Sequence, residues 1–144
     1  AERRRAASYR HTDDRSRFVL GRTMLRALLG ANLHVAPQAV SLTQLLGEAP
    51  QVDGAVGDLR WSVSHSGSVV LVAIARRPVG VDVERTGAGR AWTDQEALFK
   101  AGRPDGRPFA WRIAALPVGP DHVGSVAAPW VWRLRVVTDG PRLP

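Results

Sequence analysis

The longest uninterrupted apolar run in this chain is Val69–Ala75, seven residues, and that ceiling decides most of what the chain can fold into. A run of this length neither crosses a bilayer nor forms the core of a signal peptide. It does fit a strand buried on both faces. Segments of comparable size flank it. Leu59-Arg60-Trp61-Ser62-Val63-Ser64-His65-Ser66-Gly67 alternates like a strand and ends in a polar elbow, and Pro78-Val79-Gly80-Val81-Asp82-Val83-Glu84 reads as a third strand. Val40-Ser41-Leu42-Thr43 alternates like a short strand, with a turn at Gly47-Glu48-Ala49-Pro50, and residues 110–116, 122–128 and 132–137 supply further strands.

Two helices complete the pattern. Phe18, Leu25 and Leu29 fall in one narrow stripe of a helix over residues 13–29, with Gly30 as its C-cap. Arg15, Arg22 and Arg26 repeat that spacing about 60° around the helix, so they flank the core contact. Residues 92–101 form a shorter helix stopped by Gly102 and Pro104. Helix then strands, twice, predicts an α+β fold: a single domain over residues 1–144, with half-units at about 1–80 and 81–144.

The chain has no cysteine, which excludes disulfide scaffolds, thiolate zinc sites and cysteine nucleophiles and points to a reducing cytoplasm. Its charge is the outlying quantity: +7, from nineteen arginines and one lysine, Lys100, against thirteen acids. That surplus implies polyanion partners such as nucleic acid, a phosphorylated cofactor or an acidic protein surface. Arginine makes bidentate contacts to phosphate, although solvated surface arginines account for the same composition. The start at Ala1, without Met, predicts that the chain begins inside a longer gene product.

Asp82 and Glu84 sit two apart on a valine-rich strand, so their carboxylates share a face with Cα atoms ~6.8 Å apart. Two converging acids call for a neutralising partner, and Mg²⁺ takes a few carboxylates plus phosphate oxygens. The competing reading is a pair of exposed acids on a solvated edge. In Trp92-Thr93-Asp94-Gln95-Glu96-Ala97-Leu98-Phe99-Lys100, Thr93 and Glu96 fit a capping box, and Glu96 and Lys100 an i,i+4 ion pair. An ordinary pair works as well with arginine, so the one lysine in an arginine-rich chain stands out; lysine passes a proton where arginine stays charged. Ser64 and His65 point to opposite faces of their strand and make no nucleophile–base pair. Neither a Gly-x-Ser-x-Gly elbow nor a dinucleotide fingerprint around Gly87-Ala88-Gly89 is present, and His11, His34 and His122 lack metal-ligand spacing.

Taken together, Trp61-Ser-Val-Ser-His-Ser-Gly67, Val79-Gly-Val-Asp-Val-Glu84 and Trp92-Thr-Asp-Gln-Glu-Ala-Leu-Phe-Lys100 resemble the Sfp-type 4′-phosphopantetheinyl transferases. That family carries a Ser-His-Ser strand, a Gly-(Val/Ile)-Asp-(Val/Ile)-Glu strand and a Trp-x-x-Lys-Glu-(Ala/Ser)-x-x-Lys helix. Asp14-Arg15-Ser-Arg17-Phe18 and Gly21-Arg22 through Leu25-Arg26 look like its first helix, and the likeness covers most of residues 1–128. It implies two pseudo-symmetric half-units, each a helix on a small antiparallel sheet, the second truncated here. It also implies transfer of the phosphopantetheine arm of coenzyme A to a serine of an acyl or peptidyl carrier protein. By position, Asp82, Glu84 and Glu96 would hold Mg²⁺ on the pyrophosphate. Ser64 and His65 would meet the phosphates, with Arg17, Arg22 and Arg4 in support. Lys100 would contact the cofactor and assist phosphoryl transfer with His65, and Glu96, or a water it holds, would take the serine proton.

The chain departs from that pattern in four places. Gln95 stands where the family has lysine before the helix glutamate. Gly47-Glu48-Ala49-Pro50 replaces a Gly-Lys-Pro turn. Only residues 85–91 join the second and third motifs, where the family has a longer connection containing a helix, and the opening strand of the first half-unit is absent. The sequence therefore predicts a cytoplasmic, monomeric, Mg²⁺-dependent transferase with no membrane contact. Its alternatives are a catalytically impaired relative that only binds coenzyme A or a carrier protein, and a basic nucleic-acid-binding domain using the arginines and five tryptophans.

Overall fold

The computed structural model describes residues 2–43, 49–102 and 111–129. Within them the chain is α+β, with three α-helices and small antiparallel sheets. The helices are α1 (Glu2–Ser8), α2 (Thr12–Leu33) and α3 (Arg90–Lys100). The strands are β1 (Leu42–Thr43), β2 (Gln51–Val52), β3 (Arg60–Ser66), β4 (Val69–Ala75), β5 (Gly80–Arg85), β6 (Trp111–Leu116) and β7 (His122–Pro129). β1 pairs with β2, β3 with β4, and the third sheet runs β5-β7-β6. The strand expected at 132–137, the turn residues Gly47 and Glu48, the helix stop Pro104 and the strand start Ala110 lie outside the described residues.

The two faces of the β3–β4 hairpin explain why β4 is apolar throughout. Trp61, Val63, Val72 and Ile74 pack beneath α2 with Leu25, Leu29, Val40, Leu42 and Leu59. The other face sends Leu71, Ala73 and Ala75 against Val79, just before β5, and Val81 and Val126 of the third sheet. A strand between two layers needs apolar residues at every position. Only Val70 of β4 is buried, the rest being half-buried, because the layers on either side are small. Beyond the third sheet, α3 seats Ala97 and Ala101 on Ala127, small residues that let helix and sheet approach closely.

The expected end of α2 needs correcting. The helix passes through Gly30 to Leu33, and its C-cap is His34 in the left-handed region, with φ 57°. Gly30 serves the returning chain instead, since a Cβ there would lie 2.8 Å from the Val35 carbonyl oxygen and 3.2 Å from the Pro37 nitrogen. Helix α1, too short and charged to show periodicity, lies against the arginine row. Glu2 pairs with Arg26 at 2.6 Å and Arg22 at 3.5 Å, and Arg26 Nε donates to the Val40 carbonyl. Burial lowers the pKa of the Arg22 guanidinium, which Glu2 partly offsets. Arg5 and Arg22 lie over the Phe18 ring at 5.7 and 5.2 Å.

The capping box is also overturned. Helix α3 starts at Arg90, with Gly89 at φ 79° as its N-cap, so Thr93 lies inside the helix. Its hydroxyl lies 2.9 Å from both the Arg90 carbonyl oxygen and Ser125 Oγ on β7, and its single proton serves one acceptor or the other. Ser125 in turn donates to Asp94 Oδ1 at 2.5 Å, and Arg90 bonds the same oxygen. Thr93 and Ser125 are fully buried, so this polar seam fastens α3 to the sheet. Burial raises the Asp94 pKa, but the Ser125 hydroxyl and the Arg90 guanidinium outweigh it, and the net shift is downward from 3.8.

A carboxyl with a depressed folded-state pKa contributes stability above its ordinary value and loses it as the pH falls through the lower one. Ser125→Ala leaves Thr93 and Asp94 without this partner and is expected to cost about 1–2 kcal/mol in urea unfolding at neutral pH. The variant's extra loss should shrink as the pH falls from 3.8 through the lower folded-state value, below which Asp94 is protonated in both states. An unchanged midpoint would show that the seam holds nothing.

Candidate functional site

β5 lies along β3, and the serines at every second position of β3 meet its edge. The Val81 N–H donates to Ser62 Oγ at 3.1 Å and the Val83 N–H to Ser64 Oγ at 3.3 Å. Side-chain hydroxyls thereby satisfy edge donors that a neighbouring strand's carbonyls would otherwise take. Ser64 Oγ also donates to Asp82 Oδ1 at 2.8 Å, and Ser66 Oγ to Glu84 Oε2 at 3.1 Å. Sequence reasoning missed the parts of Ser62 and Ser66, although the period-two serine pattern carried them.

Asp82 is buried at 2% exposure, which overturns the solvated-edge reading for this residue; Glu84 is half-buried. Lys100, reaching across from the last turn of α3, places Nζ 2.5 Å from Asp82 Oδ1 and 3.1 Å from Ser64 Oγ. The ion pair expected with Glu96 is therefore replaced by one with Asp82. A buried carboxylate needs compensation more than a half-exposed glutamate does, so the lysine goes where desolvation is greatest. Ser64 accepts from Val83 and Lys100 and donates to Asp82, which uses the full capacity of a hydroxyl. Asp82 Oδ2 is buried and has no hydrogen-bond partner.

These groups converge on a cleft of about 250 Å³, bounded by Ser64, His65, Asp82, Glu84, Glu96 and Lys100, with Val63 and Trp92 as apolar walls. His65 is exposed at the strand end, while the Ser64 side chain turns inward toward β5. The structure does not bring the three arginines here. Arg17 lines a separate cleft of about 500 Å³ with Arg85 and His122, donating to the Gly67 carbonyl at 2.6 Å and pairing with Asp14. Arg22 is buried beneath α1, and Arg4 is exposed on that helix. Arg76 and Arg90 are held by Asp58 and Asp94, so part of the basic surplus is matched within the fold.

The arrangement suits a small hard cation. Hard divalent ions prefer oxygen donors, and Mg²⁺ is commonly held by one or two carboxylates with phosphate oxygens completing its shell. Asp82 and Glu84 supply two carboxylates on one face, and the unpartnered Asp82 Oδ2 is a buried acceptor of that kind. Among the described residues no group of three or more His, Asp or Glu side chains lies close enough to hold a metal ion as placed. The fit is thus to a two-carboxylate site with room for substrate oxygens. Among the described residues, no helix is long and apolar enough to cross a membrane.

No protein-family model matches the sequence. Two curated proteins are similar to it. A phosphopantetheinyl transferase of Thraustochytrium sp. is 28% identical over 126 residues, which is 86% of this chain and 44% of that protein. A 4′-phosphopantetheinyl transferase of Bacillus subtilis is 24% identical over 88 residues, 61% of this chain and 39% of its own length. At low identity, both support a relation to the phosphopantetheinyl transferase superfamily. The chain spans less than half the length of each of these relatives.

Proposed function

We propose that this chain transfers the 4′-phosphopantetheine group of coenzyme A to a serine of an acyl or peptidyl carrier protein in a Mg²⁺-dependent reaction. The observation that carries the reading is the meeting of Ser64, His65, Asp82, Glu84, Glu96 and Lys100 at one cleft, from three segments spread over 37 residues of sequence. The carrier serine oxygen forms a bond to the β-phosphorus of the coenzyme A pyrophosphate. The bond from that phosphorus to the bridging oxygen breaks, releasing 3′,5′-ADP, and the serine proton passes to Glu96 or a water it holds. Bound Mg²⁺ supplies charge neutralisation at the pyrophosphate.

Asp82 and Glu84 are the candidate ligands; Glu96 lines the same cleft and would join them as a third only by moving closer than it stands. His65 and Lys100 present their polar heads to the phosphates, while Ser64 acts through Asp82 and Lys100. Arg17, Arg22 and Arg4 belong to the proposal only as more distant support. The domain reading is residues 1–144 in two related half-units, α2 on β3–β4 and α3 on the third sheet, acting as a cytoplasmic monomer. The connection over residues 85–91 is a single 3₁₀ turn, Thr86–Ala88, ending at Gly89. With so little chain there to help dock a carrier protein, coenzyme A binding should survive better than transfer: micromolar affinity with Mg²⁺, about −8 kcal/mol, but slow modification. Measuring 3′,5′-ADP release from coenzyme A, Mg²⁺ and a carrier protein tests the reading. Product should form, and a carrier with its acceptor serine replaced by alanine should yield none.

Lys100→Arg separates chemistry from pairing. Arginine keeps a positive charge facing the buried Asp82, so the variant should stay folded, with an unfolding loss of no more than about 1–3 kcal/mol from imperfect pairing. Turnover should fall at least about tenfold, since the longer planar group neither matches the ammonium position nor passes a proton. Equal turnover would return Lys100 to a purely structural role.

A further inference from the structure

Lys100 stands on the carboxylate that the proposed function assigns to the cation. Its Nζ lies 2.5 Å from Asp82 Oδ1 and 3.1 Å from Ser64 Oγ, and the Asp82 side chain is 3% exposed while that of Lys100 is 30% exposed. The carboxylate is therefore fixed in the fold, while the ammonium is tethered by a stem with access to solvent. Through either oxygen of Asp82, a divalent cation at ~2.1 Å from its ligand atom would stand within about 6 Å of that ammonium. A buried site screens such repulsion poorly. One of the two charges must move, and the lysine is the one able to.

We propose that Lys100 is the resident counter-cation of Asp82 and gives the carboxylate up when a divalent cation binds, so that cation arrival turns the ammonium into the cleft. The inference rests on the two-carboxylate cation reading above and adds an order of events to it. The buried carboxylate is compensated in both states: by Lys100 with Ser64 in one, by the divalent ion in the other. The freed ammonium still lies on the wall of the same cleft, beside His65 and Glu96, where a phosphate group would be its next partner. The exchange makes a productively placed Lys100 conditional on a loaded Asp82, and it lowers cation affinity by the strength of the pair that must be broken.

The sequence makes this directly observable, because Lys100 is its sole lysine. Protein labelled with ¹³C and ¹⁵N in lysine gives one side-chain signal, followed by NMR while Mg²⁺ is added at constant pH and ionic strength. Calorimetry on the same sample reports Mg²⁺ binding independently, with Asp82→Asn as the control that should abolish it. The expected result is a saturable change of the lysine signal that tracks the calorimetric curve and is absent in Asp82→Asn. In Lys100→Met, Mg²⁺ should bind about tenfold more tightly than in the parent protein. Mg²⁺ binding that leaves the lysine signal unmoved would overturn the exchange while keeping the cation site. Absence of Mg²⁺ binding would overturn the cation reading and the exchange with it. Equal or weaker binding in folded Lys100→Met would also overturn the exchange, and the lysine signal of the parent protein decides the matter should that variant not fold.

Discussion

Replacing Asp82 with asparagine is expected to lower transfer by at least about a hundredfold, the scale on which a single well-placed electrostatic group acts in a catalytic site. Asparagine keeps the size of the side chain and an oxygen for the Ser64 hydroxyl, but it removes the charge that faces Lys100 and would face a cation. Read from sequence alone, the change to alanine should leave the fold largely intact, because an exposed acid contributes little. The structure alters that expectation. Asp82 is 2% exposed and accepts from both Ser64 and Lys100, so Asp82→Ala should also cost about 1–3 kcal/mol through the groups it leaves unpaired. Asparagine is thus the cleaner probe, with turnover and urea unfolding measured on one preparation. A folded Asp82→Asn protein that keeps turnover within about threefold would remove Asp82 from the chemistry.

The largest loss of stability is expected at Gly80. A Cβ built there would lie 1.9 Å from the Ala97 carbonyl oxygen and 2.5 Å from the Ala101 nitrogen, both backbone atoms of the α3 region. No rotamer change relieves such a clash; the helix end itself must move. Overpacking a close contact typically costs 1–3 kcal/mol, and one against backbone falls at or above the top of that range, so Gly80→Ala should destabilise by about 3 kcal/mol or more. The same shift displaces Glu96 and Lys100 relative to Asp82, so transfer should fall further than the folded fraction accounts for. A urea midpoint close to that of the parent protein would show that α3 does not pack as described.

What could be read from the sequence divides along a physical line. Strand spacing is local, so the shared face of Asp82 and Glu84, the outward turn of His65 against Ser64 and the apolar character of β4 all follow from a period of two. Helix α3 shows where local reasoning stops. Thr93-x-x-Glu96 matches a capping box, yet Thr93 is engaged by Ser125, 32 residues away. Glu96 and Lys100 match an i,i+4 pair, yet the lysine is taken by Asp82, 18 residues away. A surface pair of that kind is worth only about 0.2–0.5 kcal/mol, so a buried carboxylate facing the same ammonium prevails. At Gly30 a sound C-cap signal was overridden because the chain beyond His34 folds back over it. Of the arginine row, Arg22 and Arg26 flank the core stripe while Arg15 is exposed, and the partner of the first two, Glu2 on α1, belongs to a segment with no periodic signal.

The most direct measurement is the intact mass of an apo acyl or peptidyl carrier protein after incubation with this chain, Mg²⁺ and coenzyme A. A gain of about 340 Da, the mass of one phosphopantetheine group replacing one serine hydrogen, is expected on the acceptor serine, absent without Mg²⁺ and strongly reduced with Asp82→Asn. An unmodified carrier protein, in the presence of folded chain that binds coenzyme A, would contradict the transferase assignment and leave a protein that only binds the cofactor.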